Sequence, residues 1–164
     1  MEIVVCSLDL APRVAKEKRV SHAISLLDPA NVFPSLHPLR DDAHLKIGMH
    51  DIAELVEGFE APCAHHVETA LNFAGKWDRT APILVHCWAG VSRSTATAFS
   101  IACAANPDAD EMVIAQTLRT ASPTASPNLR IVALADEILK RQGRMYKAAE
   151  SIGRGNLLIT AQPF

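Results

Sequence analysis

The 164-residue chain has no apolar run that approaches the roughly 18 residues needed to cross a bilayer. Its opening, Met1-Glu2-Ile3-Val4-Val5-Cys6, has no basic stretch and no small-residue cleavage site, so it reads as a first strand and not as a signal peptide. Neither charge dominates. Sixteen Lys and Arg against eighteen Asp and Glu leave a formal net charge of −2, which gives no reason to expect nucleic acid or a membrane surface as partner. Any attraction for an anion must therefore be local. The cysteines at 6, 63, 87 and 103 form no CxxC pair, and the histidines fall at no recognisable zinc spacing. Cys63-Ala64-His65-His66 reads as a helix-face cluster, so no metal site is expected. There is no internal repeat and no sign of a second domain. What is present is ordinary globular material, 49% hydrophobic and 21% charged, long enough to bury a core.

Strands come early and helices late. Glu2 to Leu8 and Val20 to Leu27 read as strands, the second stopped by Asp28-Pro29. Residues 29–43 read as an irregular connection. Leu45, Ile47 and Met49 alternate with polar or small residues, as in a strand with one buried face. Pro62 to Trp77 carries Val67, Ala70, Leu71 and Ala74 at helical spacing. Pro82 to Val85 reads as a buried strand, followed by a helix from Arg93. Further helices are expected over Asp108–Thr120 and Asn128–Gln142, the last ended by Gly143. The expected fold class is α/β, a central, mostly parallel sheet flanked by helices. Residues 1–142 form the expected single domain. Residues 143–164 form an extension with at most a helical turn, loosened by Gly153 and Gly155.

The chemistry concentrates at His86-Cys87-Trp88-Ala89-Gly90-Val91-Ser92-Arg93-Ser94. Cys87 falls where a strand ends and a helix begins, the place where loop N–H groups and the helix dipole collect an anion and favour a thiolate. Gly90 permits positive φ or close approach. Arg93 offers a planar fork for two phosphate oxygens. His86 is adjacent to Cys87 on a strand, so the two side chains point to opposite faces, which disfavours a Cys–His proton-transfer pair. The glycine loop is no Walker motif, since no Gly-Lys-Ser/Thr follows it.

This segment resembles the signature of the cysteine-dependent protein tyrosine phosphatases, most closely their small dual-specificity-like branch. The resemblance implies a metal-independent phosphomonoester hydrolase without cofactor, in which Cys87 is the nucleophile and forms a cysteinyl-phosphate. It implies that Trp88, Ala89, Gly90, Val91, Ser92 and Arg93 cradle the phosphate, that Ser94 hydrogen-bonds the departing thiolate, and that His86 shapes the loop. A general acid must come from elsewhere. Asp51 follows the third strand, at its carboxyl end if that strand is parallel to the Cys87 strand, with a spacing to Cys87 similar to the family's. Glu54 is the competing carboxyl, and Asp51 could instead cap a short turn. Arg119 and Asn128 resemble polar positions that follow the family's catalytic helix.

The expected substrate is a phosphorylated protein or a small phosphomonoester. Relatives acting on phosphoinositides tend to carry basic residues at the variable loop positions, which here are Trp88, Ala89, Val91 and Ser92. Two other readings stay open: a phosphate-binding module with little catalysis, and an inositol- or lipid-phosphate phosphatase. A candidate catalytic thiol implies a reducing, cytoplasmic setting, and Cys6 or Cys103 could pair with an oxidised Cys87. No sequence feature specifies an oligomeric state.

Overall fold

The structure is a computed structural model that describes residues 2–156 and 158–164. Four strands, β1 (Ile3–Ser7), β2 (His22–Leu27), β3 (His44–Gly48) and β4 (Ile83–Cys87), form one sheet in the order β1-β4-β2-β3. Every pairing is parallel. All four carboxyl ends therefore open to the same edge, where α/β proteins bind ligands. Among the described residues six α-helices accompany the sheet: α1 (Ala11–Glu17), α2 (Ala64–Gly75), α3 (Arg93–Ala105), α4 (Glu111–Ala121), α5 (Leu129–Ile138) and α6 (Arg144–Ser151). None of the described helices is long and apolar enough to cross a membrane.

Strand alternation divides the core in two. Ile24, Leu26, Ile47, Ile83, Val85 and Cys87 face the larger core, which α2, α3, α5 and α6 fill with Val67, Phe99, Ile131 and Met145. Val4, Cys6, Ala23 and Leu84 face the smaller one, closed by Ala11, Val14 and Ala15 of α1 and by Leu36 from the long connection. The α1 helix lies in a stretch to which sequence reading gave no element. Its two turns carry little helical patterning, and Pro12 in the first turn presets φ. Packing on the sheet supplies the stability that seven residues lack alone.

The other departures lie toward the carboxyl end. The helix expected over Asp108–Thr120 begins at Glu111, because Asp110 caps it by accepting from Met112 N. The helix expected to run to Gln142 stops at Ile138, and Gly143 precedes α6 instead of ending α5. Lys140, Gln142 and Gly143 take positive φ and reverse the chain. The buried Arg141 side chain explains the reversal: it donates to Glu111, Pro107 O and Cys103 O, which a continued helix would carry out of reach.

The first residues after 142 form a packed helix. Met145, Ala148 and Ala149 of α6 are buried, and buried Asp136 accepts from Gly143, Met145 and Tyr146 N, supplying the cap that Gly143 cannot. Arg119 donates to five carbonyls, those of Ser122, Pro123, Ala125, Ile152 and Gly153, tying the chain after α6 to the chain after α4. Phe164 exchanges two backbone hydrogen bonds with Val5 on the open edge of β1.

Replacing Asp136 by Ala strands three backbone donors, that of Met145 buried, and is expected to cost about 2 kcal/mol. Urea unfolding should show the lower midpoint; an unchanged midpoint would remove Asp136 as the cap that holds α6.

Candidate active site

Cys87 is the last residue of β4, 2% exposed, and its Sγ lies 3.1 Å from the Oγ of buried Ser94. Between them the chain must turn from strand to helix in five residues. Gly90 makes this possible twice over. It adopts φ +74°, and a Cβ there would fall 2.7 Å from the Cys6 carbonyl carbon and 2.8 Å from Ser7 N. The loop rests directly on the neighbouring strand.

The loop's hydrogen bonds are one-sided. Three of its carbonyls are taken: Trp88 O accepts from Leu8 N, Val91 O from Ser126 N, and Ser92 O from Asn128 N and Ala96 N. Thr95 Oγ1 adds bonds to Val91 O and Ser92 O. By contrast, no backbone N–H of residues 88–92 has a protein acceptor among the described residues. Donors left this way are open to another acceptor, whether water or an anion. An arrangement of this kind can accept an anion.

Arg93 completes it. Its side chain is 4% exposed, and Nη1 is anchored on Asp28 Oδ1 at 2.7 Å and Met49 O at 2.6 Å. Nε is buried without a hydrogen-bond partner, the nearest carboxylate oxygen, Asp51 Oδ2, lying 3.9 Å away. The guanidinium is thus fixed through one nitrogen while another edge is left for an anion. Asp28, at the end of β2, escaped sequence reading because it looked only like a strand terminator.

Asp51 follows β3, which the parallel pairings place at the same edge as Cys87. Its Oδ1 accepts from Ser92 Oγ at 2.7 Å and Asn128 Nδ2 at 2.9 Å. Asn128 also caps α5 through Oδ1, so one side chain braces the carboxylate against a helix start. Asp51 lines the cavity over Cys87; exposed Glu54 does not.

The cavity measures about 650 Å³ and is lined by Asp28, Asp51, His50, Phe59, Trp88 and Arg93 among others. Arg93 is the only Lys or Arg in its described lining. Trp88, which sequence reading could place either under the loop or at the rim, is 61% exposed at the rim. Phe59 also lines the cavity, edge-on to His50 with ring centroids 4.9 Å apart. The segment between these two is closed at its base by His50 N→Glu60 O and Glu60 N→His50 Nδ1. The aromatic rim was invisible in the sequence, since Phe59 belongs to a segment with no periodicity.

His86 is fully buried on the opposite face of the sheet from Cys87, with Nε2 2.5 Å from Ser25 Oγ. Burial pushes its ring down to about 4, against the pull of the adjoining Cys87 backbone, and His44 adds to the lowering. His44 is also pushed to about 4 by burial and then by Lys46, opposed in part by Asp41. Cys6 pairs with His86 across β1 and β4, hence faces away from Cys87, and a disulfide between the two would require the sheet to reorganise. Burial raises both Cys6 and Cys103 to about 12. In the Cys63 cluster His66 serves α2: its Nδ1 accepts from Cys63 N, and its Nε2 lies 3.3 Å from Glu60. No cluster of three or more potential metal ligands occurs among the described residues.

No family model and no curated protein matches the sequence. Solved structures do match its fold. The PTP-2 phosphatase of Cydia pomonella superposes with TM-score 0.62 at 21% identity, over 84% of this chain and 85% of that one. Human DUSP28 gives 0.65 at 16%, over 85% and 92%. PTPMT1 in complex with PI(5)P gives 0.60 at 13%, over 85% and 91%. The chain has the α/β fold of the protein tyrosine and dual-specificity phosphatases.

His86 and His44 stay neutral in the folded chain down to about pH 4, whereas in the unfolded chain they take up protons near pH 6.5. Their neutral burial is fully compatible with folding above the unfolded value, and stability is lost as pH falls from there toward 4. The melting temperature should therefore drop between about pH 7 and about pH 4.5, less steeply in His44→Gln. An identical slope in that variant would show that His44 does not contribute.

Proposed function

We infer that the protein is a metal-independent phosphomonoester hydrolase acting on phosphorylated protein or a small aryl phosphate through a cysteinyl-phosphate. One observation carries this reading: loop N–H groups without protein acceptors and the unpartnered Arg93 Nε follow directly on a buried cysteine at a strand end. Five amide donors and a guanidinium edge suit the three equatorial oxygens of a transferring phosphoryl group. Asp28 and Met49 O hold Arg93 in that attitude before substrate arrives.

In the first displacement the Cys87 thiolate attacks phosphorus, the P–O bond to the leaving group breaks, and Asp51 delivers its proton to the departing oxygen. In the second, ionised Asp51 takes a proton from water, which attacks the phosphocysteine, and the thiolate leaves toward the Ser94 hydroxyl. Arg93 and the loop oppose the phosphate charge throughout, so no step is assigned to a metal. His86, neutral and on the far face, takes no proton in either step. A reducing cytoplasm would keep Cys87 in the thiol form that this chemistry needs.

The aromatic rim of Trp88, Phe59 and His50 supports a preference for an aryl phosphate ester, whose ring can stack there while phosphate reaches the loop. A multiply phosphorylated headgroup would find a single arginine and two carboxylates in the lining, which weighs against a phosphoinositide substrate even though PTPMT1 with PI(5)P shares the fold. A phosphate-binding module is the second reading. It is favoured by the two hydrogen bonds that hold Asp51 against Ser92 and Asn128, since a carboxyl so held must be released or reoriented to reach a leaving group.

Hydrolysis of an activated aryl phosphate in EDTA is expected to follow a bell-shaped pH profile. Cys87→Ser should abolish turnover while retaining phosphate binding, and turnover by that variant would refute the nucleophile. Asp51→Asn should lose roughly 10² to 10⁴ in rate on an alkyl phosphate and far less on the activated aryl ester. Equal losses on both esters would remove Asp51 as the acid, and no wild-type turnover with phosphate still bound would select the binding module.

A further inference from the structure

Three strands carry a hydrogen-bonded chain on the sheet face opposite Cys87. Ser25 of β2 and His86 of β4 are direct cross-strand partners, while His44 begins β3 opposite Ala23, two residues back on the Ser25 face. Ser25 Oγ lies 2.5 Å from His86 Nε2 and 2.7 Å from His44 Nε2. Ser25 and His86 are fully buried, and His44 is half-buried at the sheet edge. One hydroxyl proton between two neutral imidazoles satisfies both only if one ring donates and the other accepts. The chain therefore has a direction, and that direction decides which nitrogen of His86 holds its proton.

Two features choose the direction. His86 Nδ1 is a buried polar atom without a hydrogen-bond partner, and the Cys87 backbone beside the ring favours a proton on it. His44 is the outer member, so its remaining nitrogen is the one nearest solvent. The geometry points to His44 as a positioning residue for the Cys87 loop: it donates from Nε2 to Ser25 Oγ, Ser25 donates to His86 Nε2, and His86 carries its proton on Nδ1 against the Cys87 backbone. An N–H dipole held there favours negative charge at the loop and fixes the peptide from which the thiolate projects. The charged groups facing the chain are Lys46 and Asp41 beside His44, which act on its ring in opposite senses; His86 faces His44. Since both rings are neutral near pH 7, His44 contributes orientation and not charge. The assignment deepens the phosphatase reading and takes its importance from it, but its test does not depend on turnover.

The test is the pH dependence of Cys87 alkylation by iodoacetamide, followed at that residue by mass spectrometry because Cys63 is an exposed free thiol. In His44→Phe the rate below the midpoint is expected to fall roughly three- to tenfold, with the midpoint displaced upward to match. His44→Gln keeps an N–H donor and should restore most of the wild-type profile. Ser25→Ala should reproduce the loss, and Ser25→Ala with His44→Phe should be no worse than Ser25→Ala alone. A His44→Phe profile coincident with wild type, even with a lowered melting temperature, would reduce His44 to a packing role and overturn the proposal. Additive losses in the double variant would overturn it as well. Wild-type protein that shows the alkylation response yet hydrolyses no phosphate ester would sink the phosphatase reading and leave the positioning role standing.

Discussion

A guanidinium 4% exposed at the start of α3 constrains everything around it. Burying a charge costs several kcal/mol unless partners replace the lost water. Arg93 finds one partner, Asp28, at the end of β2 and another, the Met49 carbonyl, just after β3, while its own backbone begins the helix that follows the Cys87 loop. Three carboxyl-end segments are therefore held together by one nitrogen of one side chain. This is possible only because every pairing in the sheet is parallel; an antiparallel β2 or β3 would place Asp28 or Met49 at the opposite edge.

The same economy recurs in the loop. Gly90 lies so close to β1 that a methyl group would collide with the Cys6–Ser7 peptide, so the loop's height above the sheet is fixed by backbone contact and not by adaptable side chains. Its carbonyls are bound by Leu8, Ser126 and Asn128, from three separate parts of the chain. With these three carbonyls engaged, the loop N–H groups are left without protein acceptors among the described residues. Preorganisation of this kind requires no rearrangement when an anion arrives. Asn128 links the arrangement to α5, since it caps that helix with its oxygen and braces Asp51 with its nitrogen.

The carboxyl-terminal segment depends on buried polar side chains that span sequence distance. Asp136 caps α6 from within α5, Arg141 reaches back to Glu111, and Arg119 gathers carbonyls from both sides of the chain's last helix. None of these appears in local periodicity. The sequence places the end of α5 at Gln142, with Gly143 as the stop; the Arg141 bonds reverse the chain earlier. The short α1 was missed because it has too little pattern of its own.

What the amino-acid sequence determined by itself was the local chemistry: alternating and buried strands, capped helices, and a nine-residue segment in which cysteine, glycine and arginine follow one another. These depend on neighbours a few residues apart, where covalent geometry and backbone preference suffice. Only the tertiary structure decided which distant groups meet that segment. Asp28 reads as a turn signal, Asn128 as a helix cap, and Ser25 and His44 as unremarkable strand residues until the parallel register places them beside Arg93, Asp51 and His86. Their roles arise from contacts across 41 to 77 residues for the loop, Asp51 and Asp28, and across 19 and 61 for the two histidines. No local rule encodes such contacts; the packing of the whole sheet does.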